Sequence, residues 1–598
     1  MEQKKLRNIA IIAHVDHGKT TIVDTLFEQG GMFDEREVRT SRLMDSMDIE
    51  KERGITITAK NGTLFYKDHC INIIDTPGHA DFGGQVERVL RMADGALLIV
   101  DAQEGPMPQT FFVLKKALKF KLPIIVVINK IDKPAARPDW VVDQVFDLFV
   151  KLDAPNELLD FQVVYSSAKL GYAMLDYAQL GKDMRPLLDM IIEKIPAPTG
   201  SIKEPLQMLV SSLDYSPFLG RLAIGKITSG KMNINSPIAV IDRNGKSKPA
   251  RITKIYRFIK NEKVATEEAI CGEIVAVAGL DDISIGVTYT DPQNPRPLPP
   301  MEIDPPTISM NFVPNDSPFA GKEGEFVTSR HIGDRLQREI LSDVALKFED
   351  LTDRVGFKVS GRGELHLSIL IETMRREGYE LQVTRPQVIF KEDEKGNKLE
   401  PWEELTIDVE PQYQGAVIQK LGERRGQMMS MEPTEGGMTR LVYRIPTRGL
   451  LGYRSEFMTD TRGMGLMNYI FHDYLPFAGE IKNRHNGAMV VKENCVSLAY
   501  PLGNLQERGT LFIGPGVDCY TGMIVGEHCR DNDIIVNPAK GKKLTNMRAS
   551  GSDDAVVLTP HRVMDLEKCI DWINNDEIVE VTPKSVRMRK MNGYGNNL

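Results

Sequence analysis

Cysteine is scarce in this chain, and long apolar runs are missing from it. The six cysteines among 598 residues (Cys70, Cys271, Cys495, Cys519, Cys529 and Cys569) show neither CxxC nor any zinc-ligand spacing. That scatter argues against a disulfide framework or a structural metal and predicts buried free thiols. No apolar stretch is long enough to span a bilayer, and no charged-then-apolar leader follows Met1. A cytoplasmic location without membrane contact is therefore expected. A basic excess is lacking too: 75 Lys and Arg face 83 Asp and Glu, a formal net charge of -8. This excludes a uniformly basic nucleic-acid coat, while local basic clusters still have to be weighed one by one. No internal repeat is visible. What is present, 41% hydrophobic and 26% charged residues, is the balance of an ordinary soluble protein, too long for one core. About four to five domains are expected.

The pattern along the chain divides it. From Asn8 to about Pro196 the short apolar runs "NIAII", "CINII", "GALLIV", "PIIVVI" and "FQVVY" alternate with longer amphipathic stretches. This is the signature of a doubly wound α/β domain with a parallel sheet, assigned to residues 1–200. Short β-rich pieces follow, with Asn244-Gly245 as a type I′ hairpin signal, and predict a β-barrel over 201–302. The proline-rich "PQNPRPLPP" closes it. Two α+β units are then expected at 303–390 and 391–481, and a mixed, β-rich domain at 482–598. In the first of these units Leu365, Leu367, Leu370 and Ile371 read as core. Gly361 and Gly363 read as permitting a tight turn.

Four short motifs sit at the ends of the apolar runs in the first domain. In "AHVDHGKTT" Ala13 and Gly18 stand five apart and precede Lys19, Thr20 and Thr21, matching G-x-x-x-x-G-K-[ST] except for the opening alanine. In such a loop the backbone N–H groups, here through Asp16, His17 and Gly18, surround phosphate oxygens. The lysine neutralises charge and the threonine hydroxyl ligates Mg²⁺. In "DTPGHADF", Asp75 at a strand end suits a role in holding Mg²⁺, and Gly78 can donate its N–H to a terminal phosphate. In "NKID" the Asp132 carboxylate accepts two hydrogen bonds from a guanine edge that adenine cannot offer, beside Asn129 and Lys130. In "SSAK" the N–H groups of Ser167, Ala168 and Lys169 are placed to meet the guanine O6. Between the first two motifs lies a charged, apolar-poor segment that reads as a mobile switch. Its Thr56 either adds a hydroxyl to Mg²⁺ or merely opens a strand.

Together, "AHVDHGKTT", "RGITI", "DTPGHADF", "NKID" and "SAK" resemble the five signatures of translational GTPases of the EF-G and LepA branch. That branch has alanine or glycine at the first position of the phosphate loop. The resemblance implies that His79, which alone would read as a solvent-facing turn residue, orients the attacking water once a partner swings it inward. It also implies that Val15 and Ile55 shield that water beforehand. No arginine finger is evident in the domain, so slow hydrolysis by the isolated protein is expected.

The second half of the chain narrows the family. "VSGRGELHLSILIETMRREGYELQVTRPQVIF" resembles the third domain of EF-G and LepA, and "EPWEELTIDVEPQYQGAVIQKLGERRGQMMSME" the start of their fifth, with only about ten residues between. EF-G carries a large tRNA-mimicking domain in that gap, and its absence argues against a translocase. "RIPTRGLLGYRSEFMTDTRGMGLMNYIFHDYLP", "HNGAMVV" and "QERGTLFIGPGVDCYTGMIVGEH" resemble the BipA/TypA family, so that the likeness spans nearly the whole chain. It implies two ferredoxin-like α+β domains and GTP/GDP and Mg²⁺ as cofactors. It further implies ribosome binding near the factor site shared by both subunits, with contacts to rRNA and A-site tRNA, and a monomer off the ribosome. Large-subunit assembly and translation under stress or low temperature are the implied tasks. A signalling GTPase acting on a non-ribosomal regulator is the competing reading; an ATP-dependent kinase is disfavoured by Asn129 and Asp132. Finally, Lys540, Lys542, Lys543 and Arg548 lie in a Gly/Asn/Ser-rich stretch that suits either a solvated turn or an RNA contact, and the ribosomal resemblance selects RNA.

Overall fold

Strands that bury both faces need continuous apolar runs, and the first domain has them. The computed structural model describes the chain apart from residues 1, 15, 31–47, 54–55, 58, 78–82, 180, 217–219, 261, 280–282, 300, 302–304, 435–436, 482–483, 485, 541–557 and 592–598. It divides into two compact units, residues 1–304 with 340–344 and residues 305–339 with 345–598.

In the first unit, β1 (Leu6–Ala13), β2 (Lys60–Tyr66), β3 (His69–Asp75), β4 (Gly95–Asp101), β5 (Ile124–Asn129), β6 (Gln162–Ser167) and β7 (Tyr172–Met174) form one sheet in the order β2-β3-β1-β4-β5-β6-β7. Strands β3 to β6 with β1 run parallel, and β2 and β7 flank them antiparallel. Every residue of β1, β4 and β5 is buried, as expected of parallel strands covered on both faces. Helices α1 (Lys19–Gln29), α2 (Asp48–Arg53), α3 (Gly83–Leu90), α4 (Pro108–Lys119) and α5 (Pro138–Lys151) lie among the connections. Because β1 sits between β3 and β4, the strand order reverses there. The crevice at the carboxyl ends of these strands is where such sheets take ligands.

The described part of the switch segment is anchored more firmly than its charge predicts. Within α2, Ile49 is buried, and the fully buried Glu50 accepts the Ile57 N–H at 3.0 Å and pairs with Lys60.

A nine-stranded sheet between Gln207 and Thr290 follows the parallel one. Its hairpin at Asn244-Gly245 differs from the expected type I′ turn. Only Gly245 has positive φ (79°), and the Asp242 carboxylate accepts the N–H groups of Asn244 (2.9 Å) and Lys246 (2.8 Å). An acidic residue that ties up the turn amides leaves Asn244 no need for the left-handed region, and the glycine alone supplies the reversal. The two sheets share a core: Val86, Val89 and Leu90 of α3 pack in one cluster with Leu222, Ile224, Tyr256 and Ile274.

In the second unit, strands Ile308–Pro314, Lys347–Asp350, Phe357–Gly361 and Leu381–Thr384, with helices Ser329–Glu339 and Glu364–Arg376, have the βαββαβ succession of a ferredoxin-like fold. A second such succession runs through Lys398–Val409, Gln427–Pro433, Thr439–Pro446 and Leu466–Pro476. The first sheet does not end at its own last strand. Leu381–Thr384 pairs antiparallel with Glu577–Val581, so eleven strands drawn from both 303–390 and 482–598 make one sheet.

Leu367, Leu370 and Ile371 are core as read, while Leu365 is half-buried. The reason for the glycines differs from the reading. Gly363 has an extended φ of -164°, which any residue adopts. At Gly361 it is space that matters, because a Cβ would stand 2.9 Å from Leu367 Cδ2.

The joined sheet is locked by buried carboxylates. Glu580, fully buried, accepts from Asn315 Nδ2 (2.9 Å), Ser317 Oγ (2.8 Å), Arg587 Nη1 (3.2 Å) and the Tyr520 hydroxyl (2.7 Å). Glu580→Ala leaves Ser317 Oγ and the Tyr520 hydroxyl buried without that acceptor, while Asn315 Nδ2 keeps Glu380 and Arg587 keeps Glu323. Urea unfolding of the variant is expected to show a loss of about 3–5 kcal/mol; a loss below about 1 kcal/mol would show that water replaces the carboxylate.

Candidate nucleotide site

Three loops, each leaving the carboxyl end of a buried strand, converge at the crevice. The first follows β1. Asp16 (φ 66°) and Gly18 (φ 91°) both take the left-handed conformation, which folds the loop back onto the start of α1. A Cβ at Gly18 would stand 2.3 Å from Asn129 Nδ2, so the motif glycine is required twice, for its backbone and for the approach of β5. Lys19, nearly buried, places its ammonium 2.9 Å from Asp75 Oδ1 and donates to the Thr76 carbonyl. Thr20 is half-buried and Thr21 exposed on the first turn of α1.

The second loop follows β3. Asp75 is fully buried, and its Oδ2 accepts the Thr56 hydroxyl at 3.2 Å. Thr20, Thr56 and Asp75 offer two hydroxyls and a carboxylate. Such an all-oxygen set fits a hard divalent cation such as Mg²⁺ rather than a soft metal. Val15, Ile55, Gly78 and His79 lie outside the described residues, as do Lys542, Lys543 and Arg548; Lys540 is exposed.

The third group comes from β5 and β6. The Asn129 side chain donates from Nδ2 to the His17 carbonyl (2.9 Å) and accepts at Oδ1 from the Ala168 N–H (3.1 Å) and Ser166 Oγ (3.2 Å). The ends of β5 and β6 are thereby tied to the loop after β1. Lys130 (φ 64°) turns the chain so that Asp132 stands exposed with no hydrogen bond among the described residues, free to accept from a ligand. Ser167 is buried and its Oγ accepts the Leu170 N–H at 3.4 Å, while Lys169 is exposed at the rim.

The sequence reading missed the turn after β4. There Asp101, fully buried, lies 2.7 Å from Lys130 Nζ, and Glu104 lies 3.5 Å from His17 Nε2. The signal was present, since "DAQEG" also ends an apolar run at the carboxyl edge of the sheet. It matched no phosphate- or base-binding pattern.

Comparison with known proteins places the modules of the chain in known families. Residues 4–197 match the family described as Elongation factor Tu GTP binding domain, and 220–290 match Elongation factor Tu domain 2. Residues 397–485 match Elongation factor G C-terminus, and 486–594 match TypA/BipA C-terminal domain. The chain is 54% identical over 588 residues to the large ribosomal subunit assembly factor BipA of Escherichia coli (strain K12), covering 98% of this chain and 97% of that protein. It is 49% identical over 586 residues to the factor of the same name from Bacillus subtilis (strain 168), covering 98% and 96%. A crystal structure of a protein from Thermus thermophilus shares the fold with a TM-score of 0.55 at 17% identity, covering 79% of this chain and 97% of the other.

The exposed, unengaged Asp132 carboxylate suits the expected part of purine discriminator. Asp132→Ala removes the acceptor for two donors of the base and is expected to weaken GDP binding at least a hundredfold in fluorescence titration. Binding that stays within a factor of three would move base recognition elsewhere.

Proposed function

Because the chain belongs to the TypA/BipA family of translational GTPases, we propose that its hydrolysis of GTP to GDP and phosphate serves assembly of the large ribosomal subunit. The observation that carries the reading is the union in one chain of a guanine-nucleotide domain with a second half built from elongation-factor and TypA/BipA modules. A signalling GTPase that acts on a non-ribosomal regulator would have no use for that second half. Among the described residues no helix is long and apolar enough to cross a membrane.

In this reading the domain boundaries are 1–200, 201–302, 303–390, 391–481 and 482–598. Asp16 to Thr21, with Gly78, bind the phosphates; Asn129, Lys130, Asp132 and Ser167 to Lys169 bind the base. Thr20, Thr56 and Asp75 hold Mg²⁺, which when bound offsets charge on the β- and γ-phosphates. Lys19 supplies a second positive charge at the same place. His79 orients the water, and Val15 and Ile55 keep it apart from His79 until the ribosome engages. The reaction is then slow in solution and faster on the ribosome, which the protein meets as a monomer near the factor site between the subunits. Lys540, Lys542, Lys543 and Arg548 face RNA phosphates, with rRNA and A-site tRNA as partners, in the cytoplasm and under stress or low temperature.

Two measurements test this. Turnover of the isolated protein is expected on the order of 10⁻² s⁻¹ or slower, rising at least tenfold with ribosomes. His79→Ala should abolish the rise while GDP binding stays intact; equal rates with and without ribosomes would end the proposal. Lys542→Ala with Lys543→Ala should weaken ribosome co-sedimentation and reduce its dependence on log salt by about two phosphate contacts. An unchanged slope would take these lysines off the binding surface.

A further inference from the structure

The turn after β4 holds a buried polar group of side chains to which the reaction assigns no task. Asp101 Oδ2 lies 2.7 Å from Lys130 Nζ and 3.6 Å from Lys133 Nζ, and Oδ1 accepts the Gln103 N–H at 2.7 Å. The Asp101 N–H points at His17 Nδ1, 3.3 Å away. Since an amide can only donate, Nδ1 is the acceptor and the ring proton sits on Nε2. That proton faces Glu104 Oε2 at 3.5 Å. His17 is wholly buried, and its carbonyl is the group that Asn129 Nδ2 grips from the other side. The peptide between His17 and Gly18 is therefore clamped through its side chain by the β4 turn and through its oxygen by β5.

Two further facts support a working role rather than incidental packing. Burial opposes ionisation of Asp101, yet Lys130 and the Gln103 N–H outweigh it and hold the carboxyl below its ordinary value. The His17 ring, 3.5 Å away, likewise holds the Glu104 carboxyl below its ordinary value. The side chain of Glu104 is 46% exposed, so the outer end of the clamp stands in solvent while its inner end is sealed.

We propose that Glu104 is a positioning residue for nucleotide retention: through His17 it fixes the phosphate loop, and through the adjoining Asp101 the same turn fixes Lys130 of the base loop. In this proposal Glu104 and Asp101 act without contacting the nucleotide. Their effect is on how long the two loops keep their closed relation, and hence on how fast GDP leaves. The inference rests on the nucleotide-site reading given above.

The test follows release of a fluorescent methylanthraniloyl-GDP from the full chain in stopped flow. Glu104→Ala is expected to speed release about tenfold. Glu104→Gln, whose carboxamide oxygen can still accept from Nε2–H, should stay within about twofold of the parent. The melting temperature of the nucleotide-free protein and single-turnover hydrolysis of bound GTP should be unchanged in both. In a His17→Ala background, Glu104→Ala should alter release less than about twofold, because its route is already cut. Parent-like release from Glu104→Ala, equal acceleration by the alanine and glutamine variants, or a full effect in the His17→Ala background would each overturn the inference. Failure of the parent chain to bind the labelled GDP would instead overturn the nucleotide-site reading itself.

Discussion

The Asn129 carboxamide is the joint on which the nucleotide pocket depends. It reaches two other segments at once, donating to the His17 carbonyl after β1 and accepting from Ser166 Oγ and the Ala168 N–H at the end of β6, and it is almost fully buried. A satisfied polar side chain at such a point fixes a single arrangement, because any displacement strands a donor or acceptor away from water. The loop after β1 and the ends of β5 and β6 are consequently held as one structural unit. Gly18 makes this contact geometrically feasible, since a larger residue would occupy the place of the carboxamide.

The segment beyond Asp75 is under a second constraint. Val86, Val89 and Leu90 belong to a core cluster that also contains Leu222, Ile224 and Tyr256. Polar contacts reinforce it: Asn8 Nδ2 donates to Asp94 Oδ2 (2.6 Å) and to the Gly272 carbonyl (2.9 Å), and Lys226 pairs with Asp94. Movement of α3 away from its place would break packing with the second sheet as well as with its own.

How much the sequence disclosed follows from how local each feature is. The motifs around Lys19, Asp75, Asn129 and Ala168 could be read because each occupies a few consecutive residues at the end of an apolar run. The ferredoxin-like units were readable through their likeness to elongation-factor domains. Features set by distant residues were hidden. The Asp101 turn gains meaning only when His17 and Lys130 arrive beside it, and Asn244 yielded to a neighbouring carboxylate that claims its amide. Cys495 and Cys519, read as scattered thiols, stand opposite each other on adjacent antiparallel strands. The pairing of Leu381 with Val581 is the extreme case, since no pattern within either strand names its neighbour.

That last pairing sets a timetable for the newborn chain. Thr384 finds its neighbour Ile578 only after the intervening residues have been made. At elongation rates of about 5–20 residues per second this means roughly 10–40 s of waiting. Throughout that interval the early module presents a bare strand edge, with backbone donors and acceptors unsatisfied, to whatever else is emerging nearby.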